Sequence, residues 1–125
     1  MRAYIHHVAI PRPPTSARAA RAFYGDLLGL AERSPGDGEG SGRILRFGAG
    51  TTEIHLIVEE IFGQDRSGRH FCLAVDDIET LRLRLEEAGV AVVGEGMRQA
   101  SPSYFIRDPF GNLLEIVTIT SDPSA

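Results

Sequence analysis

The chain has 125 residues, 42% of them hydrophobic and 24% charged, which suits one domain or two small modules sharing a core and argues against long disorder. Its net charge of −4, with no basic run, argues against a nucleic-acid partner; no apolar stretch reaches membrane-spanning length, and Met1-Arg2-Ala3-Tyr4 leads straight into a strand, so neither a membrane span nor a signal peptide is expected. Cys72 is the single cysteine, so no internal disulfide can form, which suits a cytoplasmic location.

The first strand is expected over 4–10, Tyr4-Ile5-His6-His7-Val8-Ala9-Ile10, and Pro11, Pro13 and Pro14 should stop it. Thr15 or Ser16 can cap the helix that follows, whose apolar stripe is Ala20, Phe23, Tyr24 and Leu27 and whose end is marked by Gly29. Residues 34–42, rich in glycine and serine, read as a mobile loop. Strands are expected near 43–48 and 52–58, followed by a connection over 60–69.

The second half repeats this plan. A strand over 69–75 leads to a helix that Asp76 and Glu79 open in the manner of a capping box. Ile78, Leu81, Leu85 and Ala88 form its buried stripe. A short strand near 90–93, a loop over 94–102 and a hairpin, 103–107 and 113–119, complete the unit. Its turn, Asp108-Pro109-Phe110-Gly111-Asn112, has a proline that presets φ and a glycine able to take positive φ; Asp108 reads as a turn-former. The tail from Ser121 is polar and expected to fray. The pattern is βαβββ twice, with modules at 1–62 and 66–120.

The repeat also relates individual polar residues. His55 and Glu115 lie equally far beyond the glycines that close the two helices, Gly29 and Gly89, and each interrupts an apolar strand. His7 and His70 stand on the first strands of the two units. Alternation puts Phe71, Leu73 and Val75 on one apolar face, so His70, Cys72 and Ala74 point away from the helix layer, and the repeat implies the same for His7. A lone strand histidine is ordinarily a hydrogen-bonded core residue. A glutamate amid Leu113, Leu114, Ile116 and Val117 needs a partner, because an unpaired buried charge costs several kcal/mol. Taken together, His7, His55, His70 and Glu115 form the set that a single divalent ion such as Zn, Fe, Ni, Co or Mn would choose. Such an ion can polarise a carbonyl or hold an enolate, and Glu115, a carboxylate able to detach and take a proton, is the candidate general base. Glu53 is a competing ligand candidate, expected in solvent at its strand's start; His6 reads as a structural or surface residue and Cys72 as a small buried hydrophobe.

With "HHVAI", "ARAFYGDLLGL", "EIHLIVEE", "RHFCLAVDD" and "DPFGNLLEIV", the chain resembles the vicinal oxygen chelate superfamily over about residues 4–119. That group contains glyoxalase I, extradiol dioxygenases, fosfomycin-resistance transferases and bleomycin-resistance proteins. The resemblance implies an α+β fold, two βαβββ modules paired into a curved sheet cup with helices outside. It implies metal ligands on the first and last strands of each module, which carries over to His7, His55, His70 and Glu115. It implies a lyase or isomerase acting on a small carbonyl or other oxygen-chelating substrate through an enolate-like intermediate. An iron-dependent extradiol-type dioxygenase and a small-molecule or antibiotic binder are the alternatives. Relatives of this size are commonly homodimers, so a homodimer is expected. Short bacterial glyoxalase I has glutamate in both last strands, where the first module here has His55.

Overall fold

A computed structural model describes residues 1–34, 42–60, 67–98 and 100–120 of the chain. The fold is α+β. The chain divides into two compact units, Met1–Gln64 and Asp65–Ala125, each with one four-stranded mixed sheet and the plan βαβββ. The greater part of the glycine-rich stretch (35–41), residues 61–66 of the connection and the tail from Ser121 lie outside the described residues.

In the first unit, β1 (His7–Arg12) is followed by α1 (Ala17–Ala20), which widens into a π-helical turn over Arg21–Leu27. The widening shows in the bond from the Leu28 N–H to the Phe23 carbonyl at 2.9 Å, an i to i+5 closure. Strands β2 (Ala31–Arg33), β3 (Ile44–Ala49) and β4 (Thr52–Val58) complete the sheet, in the order β1-β4-β3-β2 with β1 parallel to β4. Strand β1 starts later than the sequence implies and runs on through Pro11, opposite Ile57. It stands at the end of its sheet's order, where a missing N–H need not break a ladder. Ser16 occupies the cap position without capping the helix: its hydroxyl donates to the Pro13 carbonyl at 2.5 Å. Gly29 takes φ +73° and lets the Leu30 N–H return to the Tyr24 carbonyl at 3.0 Å. Ala20, Phe23 and Tyr24 meet Leu45, Phe47, Ile54 and Leu56 in the core, with the Tyr24 and Phe47 rings 5.7 Å apart.

The second unit has β5 (His70–Val75), α2 (Ile78–Glu87), β6 (Gly94–Arg98), β7 (Ser101–Arg107) and β8 (Leu113–Thr118), in the order β5-β8-β7-β6 with β5 parallel to β8. Several expectations need correction. Asp77, not Asp76, caps α2: its Oδ1 accepts the Thr80 N–H at 3.0 Å. The stretch 94–102, expected as a loop, is largely strand, and 90–93 is not. Gly94 and Gly96 misled the reading, yet both fit a strand. Each lies on the sheet face away from the helix, and a Cβ on Gly96 would come within 3.2 Å of the Ser103 hydroxyl. The core is Leu81 and Leu85 of α2 against Leu73, Tyr104, Ile106, Leu114 and Ile116; Ala88 is exposed. Asp108 forms the hairpin turn as expected. It is buried, and its Oδ1 accepts the N–H groups of Phe110 and Asn112, each at 2.9 Å.

Candidate metal-ligand pairs

In both units the first and last strands are parallel neighbours, and the polar residues lie on the face that the helix leaves open. Register brings each pair together in the same way. His7 sits opposite Glu53 and Ala9 opposite His55; His70 sits opposite Leu113 and Cys72 opposite Glu115. The last-strand residue is therefore always one face position beyond the partner of the first-strand histidine. Among the described residues, no three His, Cys, Asp or Glu side chains converge into a ready metal cluster. What each unit presents is a pair.

In the first unit the His7 and His55 rings stack, with centroids 4.0 Å apart and planes inclined by 8°. Desolvation lowers the pKa of His7, helped by the neighbouring His55 and His6, which favours the neutral form that a metal needs. Glu53 does not stand free in solvent as expected. Its Oε1 accepts from His55 Nε2 at 2.9 Å, and that hydrogen bond holds its carboxyl below the usual range. His6 is exposed, and its Nδ1 lies 3.0 Å from His7 Nδ1. Arg46, opposite His55 on β3, adds positive charge beside His7 and Glu53.

In the second unit the Gly68 carbonyl fixes the tautomer of His70. A carbonyl can only accept, so the 2.8 Å contact puts the proton on Nδ1. On a neutral ring Nε2 then carries a lone pair, and it faces Glu115 Oε1 at 3.2 Å. Either a proton on Nε2, which makes it a donor to the carboxylate, or a cation between the two satisfies that contact. A backbone carbonyl on the far nitrogen is also how proteins orient imidazole ligands. Glu115 is 1% exposed, and Arg98 donates to both of its oxygens, Nε to Oε2 at 2.8 Å and Nη2 to Oε1 at 2.9 Å. That fork holds the carboxyl at about 2 against the opposing effect of burial; Ser103 and His70 act in the same direction, although the buried Ser103 hydroxyl meets no partner at good hydrogen-bond geometry. Cys72, expected buried, is exposed on this face; partial desolvation and the Glu115 charge push its thiol up, so it is a poor thiolate.

The chemistry of these donors suits a divalent ion: a neutral histidine, a histidine oriented by a carbonyl, a third imidazole and an ionised carboxylate. Two contacts stand in the way: Arg98 already occupies both Glu115 oxygens, and Glu53 already engages His55 Nε2. Sequence reasoning missed Arg98 by reading its strand as a loop. Placed in register opposite Ser101, Arg98 falls on the Glu115 face.

Residues 4–116 match the family model described as the glyoxalase/bleomycin resistance protein/dioxygenase superfamily. Among solved structures, a glyoxalase family protein from Bacillus anthracis is similar at 30% identity and a TM-score of 0.82, covering 94% of this chain and 98% of that one. A lactoylglutathione lyase from Agrobacterium tumefaciens shares the fold at 24% identity and a TM-score of 0.71, covering 94% of each chain. A fosfomycin resistance protein from Listeria monocytogenes does so at 15% identity and a TM-score of 0.75, covering 96% of each. No curated protein matches the sequence. No helix among the described residues is long and apolar enough to cross a membrane. The chain belongs to the glyoxalase/bleomycin resistance protein/dioxygenase superfamily.

Proposed function

We propose that the protein is a metal-dependent lyase or isomerase acting on a small carbonyl or otherwise oxygen-chelating substrate, with His7, His55, His70 and Glu115 as the residues that would hold one divalent ion. The observation that carries this reading is His70 Nε2 aimed at the buried Glu115 carboxylate, 3.2 Å from its Oε1, with Gly68 holding the ring through Nδ1. When bound, the ion would supply Lewis-acid polarisation of substrate oxygens. The chain's own part is to orient and to move a proton. Glu115 is the candidate base for a proton beside a carbonyl, and it can serve only when Arg98 lets go, since the paired carboxylate is too weak a base.

Elemental analysis of the purified protein, with activity restored metal by metal, tests the reading. One equivalent of a transition metal, lost in His70→Ala and in Glu115→Gln, supports it; full occupancy in both variants rejects the ligand set. The substrate reading extends to assembly as a homodimer. Mixing His7→Ala with Glu115→Ala chains tells shared sites, which regain metal, from single-chain sites, which stay broken. A protein that sediments as a monomer at micromolar concentration ends the dimer reading.

A second reading, a binding protein without catalysis, draws on Arg98. Its fork satisfies Glu115 with no other cation. A purified protein that binds small ligands but never takes up metal would favour it.

A further inference from the structure

At the end of β1 the chain turns through Pro13 and Pro14 into α1, and beside that turn opens a pocket of about 430 Å³ whose walls include Arg12, Arg18, Arg43, Thr15, Gly42 and Glu60. Three arginines against one glutamate give it an excess of positive charge. Arg12 is 2% exposed. Its Nη1 donates to Ser16 Oγ at 3.2 Å and its Nη2 to the Gly42 carbonyl at 2.8 Å, while Nε is buried without a partner among the described residues. Neither partner carries a charge.

A guanidinium cannot shed its proton to escape burial, so it needs an anion. Among the described residues none pairs with Arg12. Burial lowers its pKa, and the charges around it are Arg21 and Arg43, which lower it further. Glu32 is spent on Arg21, which it holds through Nε at 2.8 Å and Nη2 at 3.1 Å, and Glu60 in the pocket wall makes no ion pair with Arg12 among the described residues. Arg43 is exposed and rests on the Val58 carbonyl at 3.3 Å, so its fork can turn toward a ligand. Arg12 and His7 stand an odd number of residues apart on β1 and point to opposite faces, which separates this pocket from the histidine pair.

We propose that this pocket binds a small oxyanion, a phosphoryl or carboxylate group, which supplies the negative charge that Arg12 lacks. The Arg12 fork would take two oxygens, with Arg18 and Arg43 closing from the exposed side.

The test titrates the whole protein with inorganic phosphate and, separately, with acetate at constant ionic strength, read by calorimetry and amide chemical shifts. Saturable binding is expected, with shifts confined to Arg12, Thr15, Ala17 and Gly42, weakened at least about tenfold in the double variant Arg18→Gln/Arg43→Gln. Both replaced side chains are exposed, so the fold should survive. Phosphate bound with acetate silent assigns a phosphoryl group; acetate bound as tightly assigns a carboxylate. No saturable binding of either anion by about 10 mM, or equal affinity in the double variant, overturns the proposal.

Discussion

Arg98 grips Glu115 with two parallel hydrogen bonds, yet the two residues differ sharply in setting: the Arg98 side chain is 59% exposed and that of Glu115 2%. The carboxylate is fixed; the arginine is a loose cover that can swing away. A metal arriving at Glu115 must displace it. Solvent screening of the exposed arginine keeps that cost small. Arg98→Gln is therefore expected to bind Zn or Ni more tightly, by up to roughly fivefold, in equilibrium dialysis. Weaker binding in that variant would mean that Arg98 supports the site.

The Gly68 carbonyl puts a proton on His70 Nδ1, and the proposed function needs Nε2, 3.2 Å from Glu115 Oε1, to be unprotonated. Long-range nitrogen-15 spectra of the metal-free protein should show that tautomer for His70. Metal should then perturb Nε2 alone. An Nε2–H tautomer would remove the observation on which the proposed function rests.

Asp108 is a turn-former that carries two backbone N–H groups and the Asn112 amide, the last at 2.8 Å. Asp108→Ala strands those donors in a buried turn and should cost about 3 kcal/mol in urea unfolding. Metal affinity measured on the folded fraction should stay unchanged. A lost metal with intact stability would assign Asp108 a chemical role instead.

Asp77 holds the start of α2, and its bonds from the Thr80 N–H and hydroxyl keep its carboxyl below the ordinary range. A depressed folded pKa contributes stability above the unfolded value, and that contribution fades as pH falls through the folded value. Asp77→Ala should therefore melt below wild type at about pH 7, and the gap should close on acidification from about pH 4 downward. Melting curves that keep a constant gap down to about pH 2 would refute the cap.

The two βαβββ modules were legible in the chain because glycines mark both helix ends and the strands alternate cleanly. The same alternation predicted the face of His70, and the repeat extended that to His7. What escaped was local. Gly94 and Gly96 look like a loop because they carry no side chain, although the open face asks for none. Hiding β6 hid Arg98, and with it the partner that a buried Glu115 had to have. Pro11 looked like a stop because its tolerance depends on β1 standing at the end of its sheet, which only the strand order reveals. Cys72 looked like core, but it faces the side that the helix leaves uncovered.

Each sheet is closed by a parallel pairing between its first strand and its last, and the last strand lies inside the sheet, between the first and the third. During synthesis the first unit cannot zip until Val58 has emerged, and the second must wait for Thr118. Such distant pairings close late and slowly compared with hairpins. Until then the paired second and third strands of each unit expose an unpaired edge where the last strand belongs. A ribosome that stalls before Leu113 would release a chain whose second sheet lacks its interior strand and Glu115 together, so that incomplete folding and an incomplete site arise from the same missing segment.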